Sequence, residues 1–291
     1  MRVLVMAVTL TASPLMAQAQ VLTPPAAVIS DQSADLAHPP QLQQVRYPTG
    51  GVEVPARFFV AAGAGRHPTV LLLHGIPGTE LNLDLARAMQ RAGWNVLAIH
   101  YRGLWGAPGQ FSFNHSVEDA RAALAWLRDP ARAELVDTSR IVVLGHSMGG
   151  FDTVMIGDDP DVAGFVAISA ANLARLFGPL NTHEARETGR ADWKDDTSYT
   201  NTTYDALFDE AQASQAAWNW RRNAAEMTGR PVLVIVSDDT LEEDGDAVVS
   251  AISEAGGPAP KRVKFHTDHS YNDHRIALAS AVVTWLQTIF P

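Results

Sequence analysis

The chain has 291 residues, 46% of them hydrophobic, and a formal net charge of −10. That length sustains one sizeable core or a core plus an inserted element, and the acidic balance without a basic stripe excludes a polyanion-binding protein such as a nucleic-acid partner. Cysteine is absent, which excludes thiol nucleophiles, disulfides and cysteine-based zinc sites and suits an oxidising compartment.

In chain order, Met1-Arg2 gives a short basic start, residues 3–10 an apolar stretch, and Ala17-Gln18-Ala19 a run of small residues. This pattern predicts a signal peptide over 1–19, cleaved after Ala19, and a periplasmic or secreted protein; the alternative is a retained anchor. The apolar stretch is too short for a permanent membrane span. Residues 20–40, with Pro24-Pro25 and Pro39-Pro40, read as a disordered lead-in. The rest, 41–291, reads as one domain.

Two strand-like segments, at 45–47 and 52–60, flank Gly50-Gly51 as a predicted hairpin. Strands are then expected at 69–73, 96–99, 141–144, 162–168, 232–236 and 263–265. Between them, apolar residues recur at helical spacing: Leu81, Leu85, Ala88 and Ala92 before Gly93, then Val117, Ala120, Leu124 and Leu127 with Ser116 as N-cap. A further helix is expected near 246–254, and a final one carries Ile276, Ala279, Val283 and Leu286 on one face. Near-continuous apolar strands alternating with amphipathic helices imply an α/β fold with a doubly wound, mostly parallel sheet. The rhythm breaks over about 171–228, a polar stretch holding Trp193, Tyr199, Tyr204, Trp218 and Trp220. It is expected to form an inserted helical cap over the strand ends, or else an ordinary crossover with a long loop.

Gly145-His146-Ser147-Met148-Gly149 follows directly on the apolar run 141–144. A G-x-S-x-G at a strand-to-helix junction bends the chain sharply and exposes the serine hydroxyl, and the glycines are needed because side chains would collide across the bend. A serine hydroxyl is barely ionised at neutral pH, so it needs a histidine to take its proton and a carboxylate to hold that histidine in the right tautomer. In a sheet of this kind such groups gather at the carboxyl ends of the strands, in the order Ser, acid, His. The acid is therefore expected after strand 232–236, in Ser237-Asp238-Asp239-Thr240; Asp239, within the turn, is preferred and Asp238 remains open. The histidine is expected after the last strand, where His269 is better placed than His266, which belongs to the strand, or His274, which belongs to the final helix. Two N–H groups must meet the developing oxyanion: that of Met148, and that of Ile76 in the loop His74-Gly75-Ile76-Pro77-Gly78. His74 and His146 are expected to be structural neighbours of the site. No zinc-type spacing and no H-E-x-x-H occurs, so neither a metal nor a cofactor is expected.

These two glycine motifs, with the late Asp and His, resemble the α/β-hydrolase superfamily over about residues 45–290. Tyr101-Arg102-Gly103-Leu104-Trp105-Gly106 with Phe111-Ser112-Phe113 resembles the loop after the fourth strand in exported hydrolases related to prolyl-oligopeptidase-type enzymes. The resemblance implies an α/β-hydrolase fold and a serine hydrolase. One departure stands out: the family's acid loop carries Gly after the strand and Asp three residues on, where this chain has Ser237 and Thr240, a turn one residue shorter. Serine rather than aspartate at the elbow favours ester, thioester or amide substrates. The expectation is a carboxylesterase working on a small-molecule ester through an acyl-enzyme, with a peptidase acting on short peptides as the alternative and a non-catalytic binding protein as a third reading. A peptidase selecting a free amino group would need an acidic anchor such as Glu80, Asp192 or Asp195.

Overall fold

A computed structural model describes residues 23–180 and 182–291; the signal-peptide expectation for 1–19 lies outside them. The lead-in is not featureless. Ala26–Ile29 forms a short helix, α1, whose carbonyls at Ala27 and Val28 accept hydrogen bonds from the Arg91 guanidinium. Ala27 and Val28 also pack on the apolar cluster beneath, which composition alone does not reveal.

Eight strands follow: β1 Gln41–Thr49, β2 Val52–Val60, β3 His67–Leu73, β4 Asn95–Ile99, β5 Val136–His146, β6 Gly164–Ile168, β7 Val232–Val236 and β8 Lys261–Lys264. They form one sheet in the order β1-β2-β4-β3-β5-β6-β7-β8. The β1–β2 hairpin turns at Gly50-Gly51, both at positive φ, and pairs antiparallel onto β4; every later pairing is parallel. The helices between and after the strands are α2 Leu83–Arg91, α3 Phe113–Arg128, α4 Met148–Met155, α5 Leu173–Phe177, α6 His183–Asp192, α7 Lys194–Thr197, α8 Tyr204–Ser214, α9 Trp220–Ala225, α10 Glu242–Glu254 and α11 Arg275–Ile289.

Successive side chains of a strand point to opposite faces, and the central strands are apolar on both. Leu71, Leu73, Ile141 and Val143 join a core cluster with α3, α4, α9 and α10, while Val70, Leu72, Val142 and Leu144 join a second with α2 and α11. The fold is therefore an α/β-hydrolase fold with both faces of the sheet covered.

Two local expectations shift. The N-cap of α3 is Ser112, whose hydroxyl accepts from His115 N–H, so the helix begins a turn earlier than Ser116 implied. Ile276 is exposed on α11, which instead buries Leu278, Ala279, Val282, Val283 and Leu286. Between β6 and β7 the polar stretch forms α5 to α9. Its aromatic residues mostly hold it to the body: Trp218 packs edge-on to Phe113 and Phe151, and Phe177 meets Phe113, Trp193 and Tyr204. Tyr199 is the exception, exposed and stacked on Trp105 at 4.2 Å.

Candidate active site

Ser147 stands between β5 and α4 with φ 59° and ψ −119°, a left-handed conformation that costs a non-glycine residue on the order of 1–3 kcal/mol and persists only where the surroundings impose it. They do so here. Ser147 N–H donates to Ile168 O on β6, and Ser147 O accepts from Gly150, Phe151 and Ala171 N–H. A Cβ on Gly145 would strike the Gly149 backbone, and one on Gly149 would strike the Leu73 carbonyl at the end of β3. The motif glycines thus answer to close backbone approach.

The loop after β3 lies against this bend. A Cβ on Gly75 would sit 2.8 Å from Ser147 Cβ and 3.1 Å from Ser147 Oγ, so only glycine lets the loop pass beside the hydroxyl. Among the described residues, neither Ile76 N–H nor Met148 N–H donates to a backbone acceptor. Both remain available to an oxygen arriving at Ser147, the Met148 group being one of the orphan donors at a helix start. His74 donates from Nδ1 to Gly75 O at 2.6 Å; burial pushes its pKa down to about 4, so it serves this loop as a neutral ring.

The turn after β7 presents two aspartates with different fates. Asp238 is exposed and pairs with Lys264 and His266. Asp239 is half-buried and joins His269, Nδ1 to Oδ2, at 2.8 Å. Ser237 Oγ also donates to Asp239 Oδ2, at 2.8 Å, and Leu241 N–H to Oδ1, at 2.9 Å. Burial opposes ionisation of Asp239, but the bonds from His269, Ser237 and Leu241 overcome it and hold the carboxyl well below the usual carboxylate range. An ionised Asp239 only accepts, so His269 Nδ1 carries the proton and Nε2 is left able to accept one. The bond to Asp239 is the one hydrogen bond the His269 ring makes among the described residues. Its side chain is 39% exposed, within reach of a substrate. Ser147 is not itself hydrogen-bonded to the ring, a kind of contact that commonly tightens only with a ligand in place.

His146 braces the His269 segment. Its Nε2–H donates to His269 O at 2.9 Å and the two rings lie 4.8 Å apart. Burial, then the neighbouring His269, pushes the His146 pKa down to about 3, so it adds no charge beside His269. His274 is engaged with Asp273. Of the acidic anchors considered, Glu80 accepts from Asn82 N–H at 2.5 Å.

Sequence reasoning missed a chain of buried hydroxyls behind Asp239. Tyr271 OH lies 2.9 Å from Ser169 Oγ, and Ser169 Oγ 3.1 Å from Ser237 Oγ. Because Ser237 must give its hydrogen to Asp239, Ser169 donates to Ser237 and Tyr271 to Ser169. All three are fully buried. The available signal was Ser169 and Ser237 as the first residues after adjacent strands β6 and β7.

A second buried carboxyl lies on α4. Asp152, on α4, is fully buried; its Oδ1 is 2.7 Å from Ser116 Oγ, which is also 2.8 Å from Phe113 O. One hydroxyl hydrogen cannot serve two acceptors, so both contacts are satisfied only if Asp152 carries a proton. Burial, with Asp119 adding like charge, raises its pKa to about 8. Tyr101, in contact with Asp152, donates to His74 O at 3.2 Å and so meets the backbone of the Gly75 loop.

A model of the alpha/beta hydrolase family matches residues 70–281, from within β3 to the first half of α11. The chain belongs to the alpha/beta hydrolase family. Acylamino-acid-releasing enzyme 1 of Oryza sativa subsp. japonica is 28% identical over 156 residues, covering 50% of this chain but 20% of that protein; the chain therefore spans only about a fifth of that relative. An esterase of Pyrobaculum calidifontis superposes with a TM-score of 0.63 at 19% identity over 87% of each chain. An acylaminoacyl peptidase of Pyrococcus horikoshii superposes at 0.62 with 12% identity, over 85% of this chain and 41% of its own. At such identities the two structures bear on fold alone.

Proposed function

We propose that this α/β hydrolase cleaves carboxylic esters through an acyl-enzyme, with Ser147 as nucleophile, His269 as base and Asp239 as the group that orients it. Ser147 Oγ passes its proton to His269 Nε2 and attacks the carbonyl carbon. The N–H groups of Ile76 and Met148 hold the resulting oxyanion, each donor worth roughly 2.7–4 kcal/mol in comparable sites. His269 then returns the proton to the departing alcohol, which leaves an acyl group on Ser147. Water, deprotonated by the same imidazole, attacks that ester and releases the acid and free Ser147. The observation that supports this most is the 2.8 Å bond between Asp239 and His269 beside a strained, glycine-flanked Ser147. A fluorophosphonate probe should label the protein, and Ser147→Ala should abolish labelling; labelling that survives in the variant would defeat the assignment.

Peptide-bond cleavage is the second reading, favoured by the similarity to acylamino-acid-releasing enzyme 1. Parallel assays on a p-nitrophenyl acyl ester and an aminoacyl-nitroanilide separate the two, and turnover of the anilide alone would overturn the first. Export is part of the same proposal: mature protein recovered outside the cytoplasm should begin at Gln20.

A further inference from the structure

A cleft of about 810 Å³ is lined by neither Ser147 nor His269. It opens between the β1–β2 hairpin and residues 78–81, the continuation of the Gly75 loop, with Leu104 and Trp105 along another wall. That loop passes Ser147 at Gly75 and borders the cleft at Gly78. Two of the six exposed large apolar side chains among the described residues, Leu42 and Trp105, line it, and a third, Tyr199, stacks on Trp105. Trp105 is fixed as a wall by its indole N–H, which donates to Pro77 O at 2.6 Å. An apolar surface held rigid yet left in water is the usual mark of a ligand site.

One charge lies in this apolar setting. Arg57, on β2, is paired across the hairpin with Gln44 and lies beside Ala98 of β4. No carboxylate lines the cleft, and among the described residues Arg57 has no ion-pair partner, whereas Arg102, Arg128, Arg175 and Arg275 each have one. Its recorded hydrogen bond runs from Nη1 to His100 Nε2 at 2.9 Å. A guanidinium only donates, so His100 accepts and is a neutral ring; burial and the adjacent Arg57 both lower its pKa. Four of the five guanidinium N–H groups are left, in a fork whose geometry matches a carboxylate.

We infer that this cleft binds an amphiphile with one carboxylate: Arg57 takes the anion, and Leu42, Leu81 and Trp105 cover its hydrocarbon. Such a group can belong to the acid portion of a substrate or product, or to a separate effector. The binding does not require Ser147, so it can hold or fail independently of the esterase reading.

Calorimetry with octanoate and octanamide tests it. Octanoate should bind the wild-type protein at least tenfold more tightly than octanamide. Arg57→Gln should remove that preference while leaving octanamide binding unchanged, which also shows the cleft intact. Trp105→Ala should weaken both probes. Equal affinity for the two probes, no binding of either, or an octanoate affinity that survives Arg57→Gln would overturn the proposal. Against p-nitrophenyl acetate hydrolysis, competitive inhibition by octanoate assigns the carboxylate to the substrate or product, and non-competitive inhibition assigns it to an effector.

Discussion

The turn after β7 and helix α4 each hold a carboxyl withdrawn from water, and the two sit in opposite states. Around Asp239 converge an imidazole N–H, a serine hydroxyl and a backbone N–H. Around Asp152 lie a hydroxyl whose hydrogen is contested by Phe113 O, the phenol of Tyr101 and the charge of Asp119. Full burial, with Asp119 adding like charge, keeps a proton on Asp152, whereas at the less buried Asp239 three donors outweigh the loss of water and stabilise an anion. The first region holds the His269 ring in one tautomer, whereas the second carries a neutral acid that packs and hydrogen-bonds inside the core.

Replacing each acid by its amide should break the symmetry most visibly at Asp239. Asp239→Asn presents an N–H₂ or a weaker acceptor to His269 Nδ1 and disturbs its tautomer, so ester turnover should fall on the order of 10⁴-fold, read as kcat with KM little changed. Retention of wild-type turnover would show that another group orients the base. A smaller loss is expected one step back in the hydroxyl chain. Ser237→Ala deletes a hydrogen bond to a charged acceptor, worth roughly 1.5–3 kcal/mol, and should lower kcat/KM about tenfold or more while Ser237→Thr retains most of it.

The same contrast should show in stability against pH, with opposite signs. The Asp239 pKa is depressed by folding, so its contribution is present above the unfolded value of about 4 and is lost as pH falls below it. The Asp152 pKa is raised to about 8, so its contribution is full below about 4 and is lost as pH rises through 8. Denaturant titrations should therefore find Asp152→Asn gaining on the wild type between about pH 4 and pH 8, and Asp239→Asn losing the acid-side decline. Parallel curves for wild type and Asp152→Asn would mean that Asp152 is ionised in the fold. The smallest effect is expected on activity: because Asn resembles a protonated Asp, Asp152→Asn should keep ester turnover within about threefold of wild type at neutral pH.

Much of this site was legible because its determinants are local. The strand runs 69–73, 96–99 and 232–236 fall within β3, β4 and β7, since a strand buried on both faces admits only apolar residues. The G-x-S-x-G spacing announces the bend because nothing but hydrogen fits at Gly145 and Gly149. Less legible were features whose partners come from different strands. Ser169, Ser237 and Tyr271 are separated by 68 and 34 residues along the chain and meet only because β6 and β7 are neighbours and the loop after β8 folds back on them. Ser116 has the chemistry of an N-cap, yet Ser112 caps α3 and Ser116 turns inward to Asp152. Composition made the lead-in look structureless, while Arg91 supplies the bonds that order α1.

The sequence by itself determined the alternation of strand and helix and the serine at its bend, because these rest on periodicity and on steric limits acting over a few residues. Tertiary structure alone decided which aspartate meets His269, which carboxyl keeps its proton and where an unpaired guanidinium opens into an apolar cleft. Charge state and pairing depend on how many donors and how much water surround a group, and those neighbours are assembled only when distant segments pack together.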